Sequence, residues 1–298
     1  MLAVWTSANT RAFGSAKLRP LTPQAVLRYR DLAEQPLLLI MLLIYDAHGN
    51  APLDASDDLS HGELYERLLT MFARREVDKH RPHLGGRDLD RAIEDELRRL
   101  EVAAMAMFAR GRQSVRAEEL DEDLAVLMPE AAENPDDADL HGRIAPAHQV
   151  LGRFFFVHEA RSRTTDGTSS AFEFLHATFG EYLVARMVVA ALEELVEDRA
   201  RVSRRRSRAL HLDDGELYAL ASFAAYAGRD RVVTFLDELL TRRLEEEPAL
   251  REEFRELLLE LFQEAPFPRP TARSPGTNPC GCPSPRGRRA TPRTWSPS

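Results

Sequence analysis

A single strand-to-helix joint constrains the fold of this 298-residue chain more than any other segment. In Phe172-Glu173-Phe174-Leu175-His176-Ala177-Thr178-Phe179-Gly180-Glu181-Tyr182-Leu183-Val184-Ala185, Phe172 and Phe174 alternate with Glu173, as on a half-buried strand. Phe179, Leu183 and Met187 then recur every four residues, as on one face of a helix. The period changes at His176. That change predicts an imidazole near a helix N-terminus, where free backbone N–H groups and the helix dipole favour an anion such as phosphate. Residue chemistry leaves two roles open: His176 caps its own helix or fills a polar gap beneath the sheet, or it reaches a bound phosphate.

The segments around this joint are predominantly helical in pattern. Thr22-Pro23 is predicted to begin a helix with Thr22 as N-cap and with Leu27 and Leu32 on or near its buried face. The run from Pro36 to Asp46 is apolar but about half the ~20 residues needed to cross a bilayer, so it is expected in a core and not in a membrane. Ser60-His61-Gly62-Glu63 is a capping box, with Leu59 and Leu64 spaced as a hydrophobic staple. The helix it opens is predicted through Leu68, Leu69 and Phe72 towards Lys79, until Pro82 and Gly85-Gly86 break the pattern. Leu89, Ile93, Leu97, Leu100, Met107 and Phe108 form the next stripe, which Gly111 can end as a left-handed cap. A shorter helix is predicted from Ala117 to Leu127. The acidic stretch 129–139 then reads as a linker or long surface loop.

Arg153 to Arg161 is a strand candidate, Thr164 to Thr168 a turn with an Asp-Gly pair, and Ser170 to Phe174 a second strand, together a β-wing. A helix beside a β-wing raises the question of DNA binding. Residues 177–195 hold one arginine and several acidic residues, a composition that repels phosphates. Arg199, Arg201, Arg204, Arg205, Arg206 and Arg208 make the basic run of the region, predicted as a solvated loop over 199–212. Beyond it, Leu217, Leu220 and Phe223, then Val232, Phe235, Leu236, Leu239 and Leu240, then Leu250, Phe254, Leu257, Leu258 and Leu261 mark helices that can start an α-solenoid.

Charge separates the C-terminal tail from the rest of the chain. The chain carries 48 acidic and 40 basic residues, yet residues 265–298 hold six arginines, nine of the eighteen prolines and no acidic residue. That tail cannot bury enough apolar surface to offset chain entropy and is expected to be disordered. Its abrupt onset after Leu257-Leu258-Leu259-Glu260-Leu261-Phe262 is consistent with an out-of-frame end. Cys280 and Cys282, the two cysteines, lie in the tail and supply neither a disulfide framework nor a four-ligand zinc site. His141, His148, His158 and His176 with Glu181 do not show the His-Glu-x-x-His spacing of a helical metal site, and no nucleophile elbow is present. No signal peptide is recognisable, so cytoplasmic residence is the default expectation.

The joint at 172–185 resembles the winged-helix motif of NACHT-type ATPases, members of the STAND class of switch NTPases. Leu32-Ala33-Glu34-Gln35-Pro36-Leu37-Leu38-Leu39-Ile40-Met41-Leu42-Leu43-Ile44-Tyr45 is similar to the segment that opens the first helical domain of that family. The resemblance covers most of residues 18–264. It implies that His176 reaches the β-phosphate of ADP in a closed resting state and that Pro36 packs against adenine. The family's phosphate loop and magnesium-binding acidic cluster are not found in this sequence. Gly14-Ser15-Ala16-Lys17 is the nearest stretch and lacks both the first glycine and the hydroxyl residue after the lysine.

The expected fold is therefore mainly α: a leader over 1–17, a helical domain over 18–128, an acidic linker over 129–139, a winged helix with a β-hairpin over 140–198, a basic loop over 199–212, a further helical domain over 213–264 and the tail. The resemblance implies a regulatory part of a switch ATPase without a catalytic core of its own, hence no enzyme. It also implies no cofactor for this chain alone, with ATP or ADP and magnesium belonging to the parent family. Expected partners are a NACHT nucleotide-binding core or a homo-oligomer, with no membrane. The alternative is a winged-helix regulator that binds nucleic acid.

Overall fold

A computed structural model of the chain describes residues 26–27, 29, 33–49, 60–128, 152–164, 167–204, 214–221 and 226–264. Among these the chain is mainly helical, with one small antiparallel sheet. In order the elements are α1 (Pro36–Gly49), α2 (His61–His80), α3 (Gly86–Ala109), β1 (Ser114–Arg116), α4 (Ala117–Leu127), β2 (Val157–Thr164), β3 (Gly167–Phe174), α5 (Ala177–Arg204), α6 (Gly215–Ala221), α7 (Asp230–Glu246) and α8 (Leu250–Glu264). The predicted leader, the linker over 129–139, Leu59 of the staple and the tail lie outside the described residues.

The helix ends follow from local chemistry. Ser60 Oγ accepts from the Glu63 N–H at 3.1 Å and starts α2, while the Glu63 carboxylate pairs with Arg67 one turn on. The preceding N–H of that turn, Gly62, donates to Glu238 Oε2 of α7 at 2.6 Å, so a carboxylate from 176 residues away adds to the cap. Gly62 leaves space for it, since a Cβ there would stand 2.9 Å from that oxygen. At the end of α3, Gly111 adopts φ 64°. Arg112 N–H donates to the Met107 carbonyl and Gly111 N–H to the Phe108 carbonyl, both at 3.0 Å, which closes the last turn as a Schellman motif.

Three strands pair in the order β1-β3-β2. The central strand places Phe172 opposite Val115 on one side and Glu159 on the other, and both Phe172 and Val115 are fully buried. The strand predicted from Arg153 starts instead at Val157, because residues 152–156 turn and carry Phe154 and Phe156 into the core. The Val157 N–H to Phe154 carbonyl bond, 3.0 Å, holds that turn. Strand β1, from within the segment 18–128, pairs with β3, from within 140–198.

Helix α5 is the spine of the molecule. It packs on α2, α3, α6, α7, α8 and β3, and Phe179, Leu183 and Met187 are fully buried along its length. A continuous apolar core runs from Val26 and Tyr29 through all these elements to Phe254 and Leu257. The aromatic side chains of Tyr65, Phe179, Tyr182 and Phe235 meet at its centre, with Phe179 and Phe156 stacked at 4.9 Å.

Three further expectations need correction. Leu27 is 62% exposed, since Val26 and Tyr29 take the inward positions of its turn; Leu32 lies outside the described residues. Leu258 is also exposed, because Phe254, Leu257 and Leu261 occupy the face of α8 that meets the core. Residues 199–204 are helix and not loop. Arg199 binds Glu256 at 2.8 Å and Glu260 at 3.2 Å on α8, and Arg201 binds Glu197 and Asp198 on its own helix, so acidic partners fix this basic turn.

Candidate functional site

The joint is built by the sheet handing its central strand directly to α5. Leu175 N–H donates to the Phe156 carbonyl at 2.8 Å, which ends the ladder, and α5 begins two residues later. His176 occupies the N-cap position. Its Nδ1 accepts from the Thr178 N–H at 3.2 Å and lies 2.7 Å from Thr178 Oγ1. An Nδ1 that accepts a backbone N–H is unprotonated, so the neutral ring carries its proton on Nε2. Among the described residues no group hydrogen-bonds to that Nε2. Partial burial, and secondarily the charge of Arg231, hold the imidazole below its usual pKa, which favours this neutral form.

His176 therefore caps its own helix, and among the described residues its Nε2–H has no hydrogen-bond partner. Thr178 beneath it is buried, beside the Tyr65 hydroxyl, whose pKa burial raises. Among the described residues that hydroxyl has no partner in hydrogen-bond geometry.

Pro36 opens α1 and is exposed. As the first helical residue it forfeits no internal hydrogen bond. No hydrogen bond between described residues joins Pro36 to His176. Helix α1 packs on α2, and α2 in turn presents Tyr65 edge-on to Phe179 of α5, so the two residues are linked through α2.

A charged cluster not anticipated from the sequence ties α5 to α2 and α3. Arg186, one and a half turns past the aromatic centre, donates through Nε to Glu66 at 3.0 Å, through Nη2 to Glu94 at 2.8 Å and through Nη1 to Glu101. Tyr182 donates to Glu66 as well. Arg98 binds the second oxygen of Glu101 at 3.3 Å and reaches Glu216 of α6 at 2.9 Å. Burial alone would depress the Arg186 guanidinium, yet Glu101, Glu66 and Glu94 hold it well above its usual value. Burial dominates for Glu101 and raises its carboxyl despite Arg186 and Arg98. The signal available in the sequence was Glu101 and Glu96 at core spacing from Ile93 and Leu97, on the apolar face of α3.

No group of histidine, cysteine, aspartate or glutamate among the described residues is arranged to hold a metal ion, and His141 and His148 lie outside them. No described helix is long and apolar enough to cross a membrane. Comparison with protein-family models, curated proteins and solved structures gave no match to this chain.

Proposed function

We propose that this chain is a regulatory part of a NACHT-type, STAND-class switch protein, in which α1 to α4 correspond to the first helical domain, the sheet and α5 to a winged helix, and α6 to α8 to a second helical domain. The observation that carries the reading is His176 at the head of α5, whose Nδ1 caps the helix while no described residue hydrogen-bonds to its Nε2. A neutral imidazole in that tautomer donates without adding a charge, and the helix dipole behind it favours a phosphate oxygen. Pro36 supplies an exposed, rigid apolar surface suited to a base. Both act on nucleotide when a NACHT core provides the phosphate loop and magnesium ligands, either in the same polypeptide or in an assembly with it. The output is a change of assembly coupled to nucleotide state.

The competing reading is a winged-helix regulator of nucleic acid. Helix α5 argues against it, because Arg186 is held between Glu66, Glu94 and Glu101, and Arg199 and Arg201 are each paired with two carboxylates. A calorimetric titration tests the nucleotide reading. The chain alone is expected to show no micromolar affinity for ATP or ADP and no magnesium-dependent phosphate release, whereas the chain joined to a NACHT core retains ADP. Micromolar binding by the chain alone, abolished by a substitution within it, would contradict this.

A further inference from the structure

A second polar centre lies at the far end of α2, built on a carboxylate. Glu96 of α3 is 1% exposed, and its Oε1 receives Arg99 Nη1 at 2.8 Å, Arg153 Nη1 at 3.1 Å and Arg81 Nη2 at 3.8 Å. The three arginines come from separate places in the chain: the cap of α2, the body of α3 and the turn before β2. One oxygen thus gathers three guanidiniums. Next to them, Glu76 Oε2 faces Lys79 at 3.7 Å and His80 at 3.8 Å. The two groups are contiguous, since Arg153 and Glu96 both act on the His80 ring, which burial, Arg153 and Lys79 hold below its usual pKa.

Four permanent cations here meet two carboxylates, in a chain whose net charge is −8. Each guanidinium has five N–H donors in a planar fork. Glu96 Oε1 engages one donor each from Arg99 and Arg153, and Arg81 approaches it only as an ion pair. Among the described residues the other donors of these arginines have no hydrogen-bond partner besides Glu96, and the three side chains are part-buried, where positive charge is screened less than in open water. Planar forks held together in this way match the oxygens of a phosphate group.

We propose that Arg81, Arg99 and Arg153 form a binding site for a small phosphate-bearing ligand, with Glu96 as the positioning residue that holds the three guanidiniums together. The site stands on different residues from Pro36 and His176 and is independent of the nucleotide reading. Its ligand is recognised by two or three phosphate oxygens and not by a base.

Inorganic pyrophosphate and glycerol 1-phosphate, titrated separately into the full chain at low salt, test the site and separate its two sources of phosphate. Saturable binding of either is expected, weakening as salt is added, with the tighter probe identifying the source as inorganic or as a phosphate ester. Arg81→Gln, at the most exposed of the three, is expected to weaken binding at least about tenfold without altering thermal unfolding. Arg153→Gln is expected to do the same or more, while Arg255→Gln, on the exposed face of α8, leaves binding unchanged. Absence of saturable binding to both probes, or equal weakening by Arg255→Gln and Arg81→Gln, would overturn the proposal.

Discussion

His176 does two things with one ring. Its Nδ1 satisfies an N–H at the head of α5, and that bond dictates which nitrogen carries the proton. His176→Ala removes the cap and is expected to lower stability by about 1 kcal/mol. His176→Asn offers a side-chain oxygen to the same N–H and is expected to recover most of that loss, read by chemical denaturation. The pH dependence has a definite sign. Because the folded-state pKa lies below the usual value of 6.5, the unfolded chain binds the proton more tightly. His176 therefore opposes folding progressively as pH falls below about 6.5 and has no such effect above it. His80 is depressed in the same direction. The difference between wild type and His176→Asn across this window isolates His176: the variant is expected to lose less stability on acidification, and equal slopes would show that His176 does not contribute.

At the level of elements, the contact that decides how α5 sits on α2 and α3 is the Arg186 cluster. Breaking a buried pair by removing one partner costs far more than the pair's net worth, because a carboxylate is left without compensation. Arg186→Met is accordingly expected to destabilise the protein by about 3–5 kcal/mol at neutral pH. Glu101 already has a raised pKa with Arg186 present, and losing the cation raises it further. Protonation then relieves the penalty, so the deficit should shrink as pH is lowered. A denaturation midpoint for Arg186→Met equal to wild type at neutral pH would place the cluster outside the determinants of packing.

These elements also show what was legible in the sequence. Ser60 before a helical run, Gly111 after one and the alternation at Phe172 to Phe174 are local signals with local causes, and the structure realises them at those residues. Strand β1 is three residues long, too short for alternation to register, and exists because β3 has an open edge beside it. The continuation of α5 through Arg199 depends on Glu256 and Glu260, which lie about sixty residues away. Glu96 and Glu101 interrupt an apolar stripe, and only their partners on other elements explain that placement. Of the two candidate residues, His176 was legible as a helix-head residue from the change of period, whereas nothing in the sequence determined its tautomer.

The described residues share one core threaded by α5, and residues 1–264 are acidic in composition. A protein that reads DNA with α5 would need unpaired cations on its outward face, whereas Arg186 is committed inward and Arg199 and Arg201 are each paired with two carboxylates. Residues 18–264 are expected to show no duplex-DNA affinity that falls steeply between low and moderate salt, as measured by fluorescence anisotropy. Binding with a steep salt slope would promote the nucleic-acid reading.

ADP release from the chain joined to a NACHT core, compared between wild type and His176→Ala, tests the switch most directly. A hydrogen bond to a charged group contributes roughly 1.5–3 kcal/mol, equivalent to about a ten- to hundredfold shift between closed and open forms. His176→Ala is expected to fold, with the modest loss of stability due to its missing cap, and to release ADP faster by that factor with spontaneous assembly. A folded His176→Ala protein that holds ADP as tightly as wild type and remains monomeric would contradict the assignment of His176 to the switch.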